Sequence, residues 1–297
     1  MSAPSVPALS VVIPTFNNLA VLKECLDRWR RFGGSRVELV VVEDGCRDGT
    51  SAYLDELTRT PWGARQVRVI HEQNVHELRC TNRGFRAATG TLAAAWQDDM
   101  FLEHDWFVPE LVAIFARHAD LGLLSLSRGL DCYPSDAPIE RWEDLADWSR
   151  LKSTVGPSPR NWFNLQEVDV VIRPWVVRRA CLDAVGDLDE AFVPTEWDEA
   201  DLCFRIREAG WRIGTHGYER LGAYRHLGST TLSKGFTDEY KARVLANGRL
   251  FHQRWDGAIA RDWQRSRKTW RRVMSAAGLA ATAVGLGRAL RDRLVGR

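Results

Sequence analysis

The sequence predicts an α/β fold with a mostly parallel central sheet and flanking helices, and three observations support this fold class. Apolar, β-branched segments of strand length alternate with segments of helical periodicity through the first half of the chain. Strands separated by helices form β-α-β units, in which the strands run parallel. The 297 residues, 45% of them hydrophobic, also suffice for a core that needs neither disulfides nor a structural metal.

Four strands and three helices are predicted in the first half, in alternating order. Each strand is a short apolar run, and each helix repeats apolar residues every three or four positions. The turn Glu43-Asp44-Gly45 ends the second strand, and Asp48 is placed to cap the second helix. The predicted order is strand Leu9–Pro14, helix Ala20–Arg31, strand Val37–Val42, a helix that runs to Leu57, strand Gln66–Ile70, helix Arg79–Ala88 and strand Thr91–Trp96.

The second half is less regular. The stretch from Ser127 to Asn164 is rich in Pro, Asp, Ser and Trp, which is typical of an irregular binding segment. A strand is predicted at Glu167–Ile172 and a helix at Val176–Val185. A further helix is predicted at Glu199–Gly210, with Leu202, Ile206 and Ala209 facing inward.

Charge and cysteine content exclude several classes of protein. The formal net charge of +2 argues against a nucleic-acid partner, although residues 261–297 hold ten basic and only two acidic residues. The six cysteines include no C-x-x-C pair, and no signal segment opens the chain, so we expect reduced thiols in the cytoplasm. The longest uncharged stretch, Val273 to Gly287, is too short to span a membrane as a helix.

Acidic residues follow two of the predicted strands. Asp44 follows a Val-rich strand, and Asp98 and Asp99 follow the strand that ends at Trp96. Because ligands bind at the carboxyl ends of parallel strands, these loops should share one rim of the sheet. Asp44 could accept a hydrogen bond from a base or a ribose, or simply serve its turn. The adjacent Asp98 and Asp99 could hold a divalent cation that bridges phosphates, or cap the following helix.

A second acidic cluster, Glu196-Trp-Asp-Glu-Ala-Asp201, precedes the predicted helix at Glu199–Gly210. One of these carboxylates could act as a general base. Alternatively, the cluster only complements the positive end of the helix dipole. Asp201 is expected to cap the helix or to pair with Arg205, four residues later on the same face.

Five segments occur in the order in which they occur in the inverting glycosyltransferases of family 2, and the chain resembles that family over roughly residues 8–230. The resemblance implies a GT-A fold, which is Rossmann-like, a nucleoside diphosphate sugar donor, a divalent Mg²⁺ or Mn²⁺, and inversion at the anomeric carbon. The segments are Val11-Val-Ile-Pro-Thr-Phe-Asn17, Val41-Val-Glu-Asp-Gly-Cys-Arg-Asp-Gly-Thr50, Asn82-Arg-Gly84 with Ala87, Ala88 and Gly90, Gln97-Asp98-Asp99, and Asp198-Glu-Ala-Asp-Leu-Cys-Phe-Arg-Ile-Arg-Glu-Ala-Gly-Trp211.

The resemblance also implies roles for individual residues. Asp44 would read the base, Asp98 would lie near the ribose and donor sugar, and Asp99 would bind the metal, with His226 completing that site. Trp96 stands where the family commonly has another acid, so fewer carboxylates would hold the metal. The nucleotide-binding residues would include Pro14, Thr15, Asn17 and Arg83; Arg83 could equally be a solvated helix residue, and His226 an ordinary hydrogen-bonded one.

Catalysis is expected from the reversed acidic pair Asp198-Glu199. The resemblance places Glu199 at the position of the base, and Asp198 would raise its proton affinity or bind an acceptor hydroxyl. Trp197, beside them, would contact the acceptor, because indole rings stack on sugars, although Trp is also a common core residue. The other tryptophans of this half are Trp142, Trp148, Trp162, Trp175 and Trp211.

The basic C-terminal stretch carries one apolar stripe at helical spacing. Such a helix could lie on anionic lipid or dock on its own domain or a partner subunit. The stripe consists of Ala276, Leu279, Ala283, Leu286, Leu290 and Leu294. The basic residues are Arg265, Arg267, Lys268, Arg271 and Arg272 before it, and Arg288, Arg291, Arg293 and Arg297 along and after it.

The expected organisation is a donor-binding half over residues 8–125, an acceptor and catalytic half over residues 126–230, and a helical, basic extension over residues 231–297. The expected activity is transfer of a sugar from a nucleoside diphosphate to a hydroxyl of a glycan or lipid-linked acceptor, in cell-surface polysaccharide or glycolipid synthesis. The extension, residues 262–297 above all, would bind the inner face of the membrane. The alternatives are a catalytically idle glycan-binding or scaffold relative, and another nucleotide-using transferase on the same fold.

Overall fold

A computed structural model describes residues 6–135, 139–141, 151–153, 162–194, 196–228 and 237–294. Its strands are β1 Leu9–Thr15, β2 Val37–Asp44, β3 Val67–Glu72, β4 Leu92–Ala95, β5 Met100–Leu102, β6 Leu121–Ser125, β7 Gly129–Cys132, β8 Leu151–Ser153, β9 Asn164–Glu167, β10 Val170–Val171, β11 Trp175–Arg178, β12 Arg212–Thr215, β13 Tyr224–His226 and β14 Thr269–Arg271. Its α-helices are α1 Leu19–Phe32, α2 Thr50–Arg59, α3 Gly63–Gln66, α4 Glu77–Ala87, α5 Phe107–Arg117, α6 Arg179–Val185, α7 Asp198–Glu208, α8 Asp238–Asp262 and α9 Ala276–Leu294.

The central sheet has nine strands in the order β14-β9-β12-β6-β11-β4-β1-β2-β3. The strands β3, β2, β1 and β4 pair in parallel, and so do β6 and β12. Only β9 and β11 run against the common direction among these nine. The predicted α/β class with a mostly parallel sheet is therefore confirmed. Two small antiparallel sheets, β10-β7-β8 and β13-β5, lie beside it.

The core lies on both faces of the sheet, because successive residues of a strand point to opposite faces. In β1, Val11 and Ile13 pack with α1 and α5, whereas Val12 packs with residues of α4, α7 and α8. Trp29 of α1 and Phe204 of α7 are among the buried side chains of these two layers. The apolar faces of the predicted helices thus pack on both faces of the sheet. The carboxyl ends of the strands carry the loops that are described next.

The structure corrects three expectations for the second half. Val176 and Val177 belong to strand β11, and the helix α6 begins only at Arg179. The strand expected over Glu167–Ile172 is divided between β9 and β10, which belong to different sheets. Ala209, expected to face inward, is exposed. The β-branched pair forms a strand because it fills the gap between β4 and β6, so tertiary pairing outweighs helical periodicity.

The C-terminal extension is not purely helical. Between α8 and α9, strand β14 pairs with β9 and becomes one edge of the central sheet. The extension therefore contributes to the same sheet as the first half of the chain. Among the described helices, none is both long and apolar enough to cross a membrane. The six cysteines are unpaired, and five of them are buried.

Candidate active site

The loops after β1 and β4 meet at the carboxyl edge of the sheet, at Asp98. Thr15, at the end of β1, donates a hydrogen bond from Oγ1 to Asp98 Oδ2 over 2.7 Å. Asn18 donates from Nδ2 to the other carboxylate oxygen over 3.0 Å. Burial raises the pKa of Asp98 to about 6, although both hydrogen bonds act in the opposite direction. The structure thus brings together Thr15 and Asp98 of the predicted donor site.

Asn17 joins the loop after β1 to the loop after β2. Its backbone has a φ of 49°, and its Oδ1 accepts a hydrogen bond from the backbone N–H of Arg47 over 2.7 Å. Asp48 accepts hydrogen bonds from the N–H of Leu19 and of Thr50, the first residues of α1 and α2. Pro14 lies within β1, opposite Val42 of β2. These bonds hold the two loops in one arrangement.

Asp44 anchors the loop that follows β3. Its two carboxylate oxygens accept hydrogen bonds from the backbone N–H groups of Val75 and His76, at 2.6 and 3.0 Å. The side chain is buried, and His76 has a φ of 75°. In this geometry Asp44 holds a loop, which is the role expected of a turn residue. Its contact with a nucleobase stays a prediction.

A cavity of about 540 Å³ opens at the carboxyl ends of β2 and β3, and sequence reasoning missed its central pair, Glu43 and His71. His71 Nδ1 lies 3.0 Å from Glu43 Oε2, and Glu43 also accepts a hydrogen bond from the N–H of Cys46. Burial would raise the pKa of Glu43, but these hydrogen bonds lower it, and the same contact with Glu43 raises the pKa of His71. The sequence did offer one signal, because Glu43 is a second acid directly beside Asp44 at the end of the strand.

Asp99 and His226 come together across the small sheet β13-β5. His226 pairs with Met100, the residue after Asp99, and its Nε2 lies 3.3 Å from Asp99 Oδ2. The nearby carboxylate of Asp99 raises the pKa of His226. The Nε2 atom is buried and has no hydrogen-bond partner among the described residues, and the carboxylate of Asp99 lies within ion-pair distance of it. The predicted metal pair is thus adjacent in space.

These two side chains fit a divalent ion at a nucleotide. Among the described residues, no group of three or more His, Cys, Asp or Glu side chains is arranged to hold a metal. Mg²⁺, however, is often bound by one or two carboxylates, with substrate phosphates and water as the remaining ligands. A buried imidazole nitrogen aimed at a carboxylate oxygen is compatible with a shared ion.

Trp96 does not reach this site. Its ring is fully buried, and its Nε1 donates to the carbonyl oxygen of Met100 over 2.8 Å. The ring packs edge-on against Trp29 and Tyr224, with centroid distances of 5.0 and 5.3 Å. The residue that replaces the usual acid is therefore a core residue. Arg83 forms an ion pair with Glu72 over 3.1 Å and is half exposed, as expected for a solvated helix residue.

The second acidic cluster lies at the start of α7. Glu196 and Trp197 both have positive φ values, 72° and 70°, and Asp198 begins the helix. Glu199 accepts two hydrogen bonds at the same oxygen, Oε1, from Arg173 Nε at 2.7 Å and from Trp175 Nε1 at 2.9 Å. Arg173 and Trp175 were not identified as site residues in the sequence, because nothing local relates them to Glu199.

Asp198 and Asp201, both in the first turn of α7, have different environments. Asp198 is buried, and burial followed by the charge of Glu199 raises its pKa to about 7, against the opposing charge of Arg173. Asp201 is also buried, but it pairs with Arg205 over 2.7 Å, which confirms that prediction.

Trp197 packs against helix α8. Its ring centroid lies 5.1 Å from that of Phe251 and 5.5 Å from that of His252, and the side chain is half-buried. Trp175 and Trp162 are buried, whereas Trp142 and Trp148 lie outside the described residues. An acceptor contact by Trp197 stays a prediction.

Comparison with known proteins agrees with this architecture. A profile described as Glycosyl transferase family 2 matches residues 10–156. A PGL/p-HBAD biosynthesis glycosyltransferase of Mycobacterium bovis is 37% identical over 103 residues, 33% of this chain and 38% of its own. EpsJ, an uncharacterized glycosyltransferase of Bacillus subtilis, is 26% identical over 102 residues, 34% of this chain and 29% of its own. The chain thus spans well under half of the length of these relatives.

The fold is similar to that of GalNAc-T7, crystallised with UDP, GalNAc and Mn²⁺. The TM-score is 0.62 at 12% sequence identity, over 86% of this chain and 50% of that one. At this identity the likeness concerns the fold alone. The profile over residues 10–156, about half of the chain, together with this fold identifies a glycosyltransferase domain of family 2, an inverting family of GT-A architecture.

Proposed function

We propose that the protein transfers a sugar, with inversion, from a nucleoside diphosphate to a hydroxyl of a glycan or lipid-linked acceptor, in cell-surface polysaccharide or glycolipid synthesis. One observation carries the proposal: Arg173 pairs with Glu199 at the start of α7 and with Glu77 at the start of α4, which follows the loop held by Asp44. This contact supports a single site for the two halves of the reaction.

On the donor side, Asp98 is held by Thr15 and Asn18 and accepts from the ribose hydroxyls. Asp99 and His226 would hold Mg²⁺ or Mn²⁺, which would supply positive charge beside the diphosphate leaving group. Asn17 and Pro14 shape the loop beside the nucleotide, and Asp44 keeps the neighbouring loop in place. The UDP and Mn²⁺ in the crystals of GalNAc-T7 support a donor of this class.

On the acceptor side, Glu199 is the base. Its Oε1 is occupied by Arg173 and Trp175, so Oε2 is the oxygen available to an incoming hydroxyl. In a single displacement the acceptor oxygen forms a bond to the anomeric carbon while the bond to the diphosphate oxygen breaks. The hydroxyl proton passes to Glu199, and the nucleoside diphosphate departs with the electron pair. Attack opposite the leaving group inverts the anomeric centre.

A panel of nucleoside diphosphate sugars tests the donor class. Thermal unfolding is recorded with each sugar, with and without Mn²⁺, and donor hydrolysis is then measured with any sugar that stabilises the protein. We expect stabilisation by a nucleoside diphosphate sugar and hydrolysis of the same compound. Stabilisation without hydrolysis or transfer would instead favour an idle, glycan-binding relative. Absence of stabilisation by every member of the panel contradicts a donor site.

The C-terminal extension docks on the domain by one face of α9. Gly285 approaches Trp162 so closely that a Cβ would come within 2.7 Å of its ring. Thr282 is buried and accepts a hydrogen bond from Arg272 over 2.8 Å. Four of the basic residues of the extension form ion pairs with acids of the domain. Arg265 and Arg267 pair with Asp169, Lys268 with Asp120, and Arg272 with Glu110.

The opposite face of α9 is the membrane-binding surface in this proposal. Most of the predicted stripe points outward, with Leu279 and Leu290 51% and 60% exposed. Val284, which was not part of that stripe, is 54% exposed as well. Leu286, expected in the stripe, packs against the core instead, and the side chain of Leu294 lies outside the described part. Arg288 and Arg291 are exposed on the same helix. An apolar face with exposed arginines matches the chemistry of an anionic bilayer surface, where a lipid-linked acceptor would be found.

A further inference from the structure

Arg173 lies between the two halves of the proposed site. Its side chain is only 11% exposed and forms ion pairs with two carboxylates. One is Glu199 at the start of α7, through Nε over 2.7 Å, and the other is Glu77 at the start of α4, through Nη1. The two glutamates belong to segments far apart in the sequence, so the guanidinium is a direct link between α4 and α7.

The link continues to the nucleotide side. Glu77 is the first residue of α4 and follows the loop that Asp44 holds through the N–H groups of Val75 and His76. On the other side, Trp175 adds a second hydrogen bond to the oxygen of Glu199 that Arg173 contacts. Both donors therefore act on Oε1 and leave Oε2 without either of them.

We propose that Arg173 is a positioning residue for the base: with Trp175 it fixes Oε1 of Glu199 so that Oε2 faces the acceptor hydroxyl, and through Glu77 it ties this orientation to the donor side. The inference rests on the proposed function. A guanidinium suits this task because its planar group offers several donors at fixed angles, so two carboxylates can be held at once.

Charge supports the same assignment. The charge of Glu199 acts on Glu196 of the preceding loop, on Asp198 and Cys203 of α7, and on Arg173, which also pairs with Glu77 of α4. From α8, Tyr240 donates a hydrogen bond to Glu196 over 2.9 Å. Burial raises the pKa of Asp198, the charge of Glu199 raises it further, and Arg173 opposes both effects. Arg173 thus offsets repulsion among carboxylates that would otherwise move apart or take up protons.

Kinetics of the Arg173→Gln variant distinguish positioning from a purely structural bridge. The substrate is the nucleoside diphosphate sugar that stabilises the wild type in the panel, hydrolysed by water. We expect kcat to fall on the order of 100-fold, because a displaced carboxylate no longer lies within hydrogen-bond distance of the attacking water. The KM for the donor should change less than about twofold. The acidic limb of the kcat/KM profile should move to higher pH, and Arg173→Lys should recover part of kcat.

The matched control is Arg205→Gln, which removes another cation that pairs with a buried carboxylate of α7, Asp201, on a different face. It should destabilise the fold but leave kcat per folded molecule and the pH profile unchanged. An equal loss of kcat in Arg205→Gln, or a normal kcat and pH profile in a folded Arg173→Gln, would overturn the assignment.

A second measurement needs no substrate. The indole ¹H–¹⁵N resonance of Trp175, assigned with Trp175→Phe, reports whether Glu199 Oε1 still accepts its hydrogen bond. It should shift in Arg173→Gln and in Glu199→Gln, and stay in place in Arg205→Gln. If it is unmoved in Arg173→Gln, Arg173 does not position Glu199. If the wild type hydrolyses no sugar of the panel, the proposed function fails, and this resonance still decides whether the carboxylate is held by Arg173.

Discussion

Arg272 and Glu110, 162 positions apart in the sequence, form an ion pair in which both side chains are fully buried. Tyr218 donates a further hydrogen bond to Glu110 over 2.9 Å, and Thr282 accepts one from Arg272. The pair joins the C-terminal extension to helix α5 in the interior of the domain. The extension is therefore part of the folding unit, and its removal is not a clean test of membrane binding.

The first prediction concerns this ion pair. Arg272→Ala should lower the free energy of unfolding by about 3–5 kcal/mol, because it leaves the carboxylate of Glu110 buried without its cation. Arg271→Ala, at the exposed neighbouring position, should change it by less than about 0.5 kcal/mol. Urea unfolding followed by tryptophan fluorescence measures both.

Deletion of residues 262–297, which also removes β14, should prevent stable folding. A cooperatively folded, active deletion variant would show that the extension is dispensable.

The second prediction concerns the metal. If Asp99 and His226 share a divalent ion with the diphosphate, Mn²⁺ should increase the stabilisation by the donor sugar, and a chelator should remove the increase. Asp99→Asn and His226→Ala should each abolish the increase. Asp27→Asn, at an exposed position of α1, should keep it. The readout is the midpoint of thermal unfolding. A full metal effect in Asp99→Asn would exclude Asp99 as a ligand.

The third prediction separates the two carboxylates of α7. Glu199→Gln should lower kcat for transfer or donor hydrolysis by about 10²–10⁴-fold, because the base is lost, and leave donor binding nearly unchanged. Asp198→Asn should have the smaller effect on kcat. Donor binding is followed by thermal shift and kcat by release of nucleoside diphosphate. The opposite ranking of the two variants would assign the base to Asp198.

The fourth prediction concerns pH and stability. The folded-state pKa of Asp198 is about 7, above its ordinary value of 3.8. Between these values the unfolded chain has lost the proton that the folded chain keeps, so the free energy of unfolding should fall as pH rises from about 4 to about 7. The contribution of this group is a slope of up to about 1.4 kcal/mol per pH unit. It should be absent in Asp198→Asn and retained in Asp27→Asn, as measured by urea unfolding across that range. Equal slopes in wild type and Asp198→Asn would contradict it.

The fifth prediction concerns the outward face of α9. The triple variant Leu279→Ser, Val284→Ser, Leu290→Ser should not sediment with vesicles of phosphatidylglycerol at low salt, because the apolar contact is removed. Arg288→Gln with Arg291→Gln should weaken binding by about 1 kcal/mol per charge, and high salt should weaken the wild type similarly. Val6→Ser, at an apolar residue 59% exposed elsewhere, is the control. If the wild type does not sediment with these vesicles at low salt, α9 is not a membrane anchor.

Local patterns determined much of this protein. The alternation of apolar runs with helical periodicity placed β1 to β4 and the helices α1, α2 and α4 within a few residues of their observed bounds. Because parallel strands present their carboxyl ends at one edge, the acids after β2 and β4 could be assigned to a common rim before any coordinates. Thr15 and Asp98 do meet there. The pairing of Asp201 with Arg205 could likewise be predicted, since residues four apart lie on one face of a helix.

Other features depend on contacts between distant segments, which no local pattern encodes. Val176 and Val177 form a strand only because β4 and β6 leave a place between them. Arg173 reaches Glu199 and Glu77 only once the chain has folded. Four basic residues of the C-terminal extension pair with acids of the same domain and are therefore not available to bind lipid. The sequence by itself determined which elements form and where their ends carry charge. Which charges meet, and which face of α9 remains open, was decided by the tertiary structure, because burial and ion pairing are set by packing.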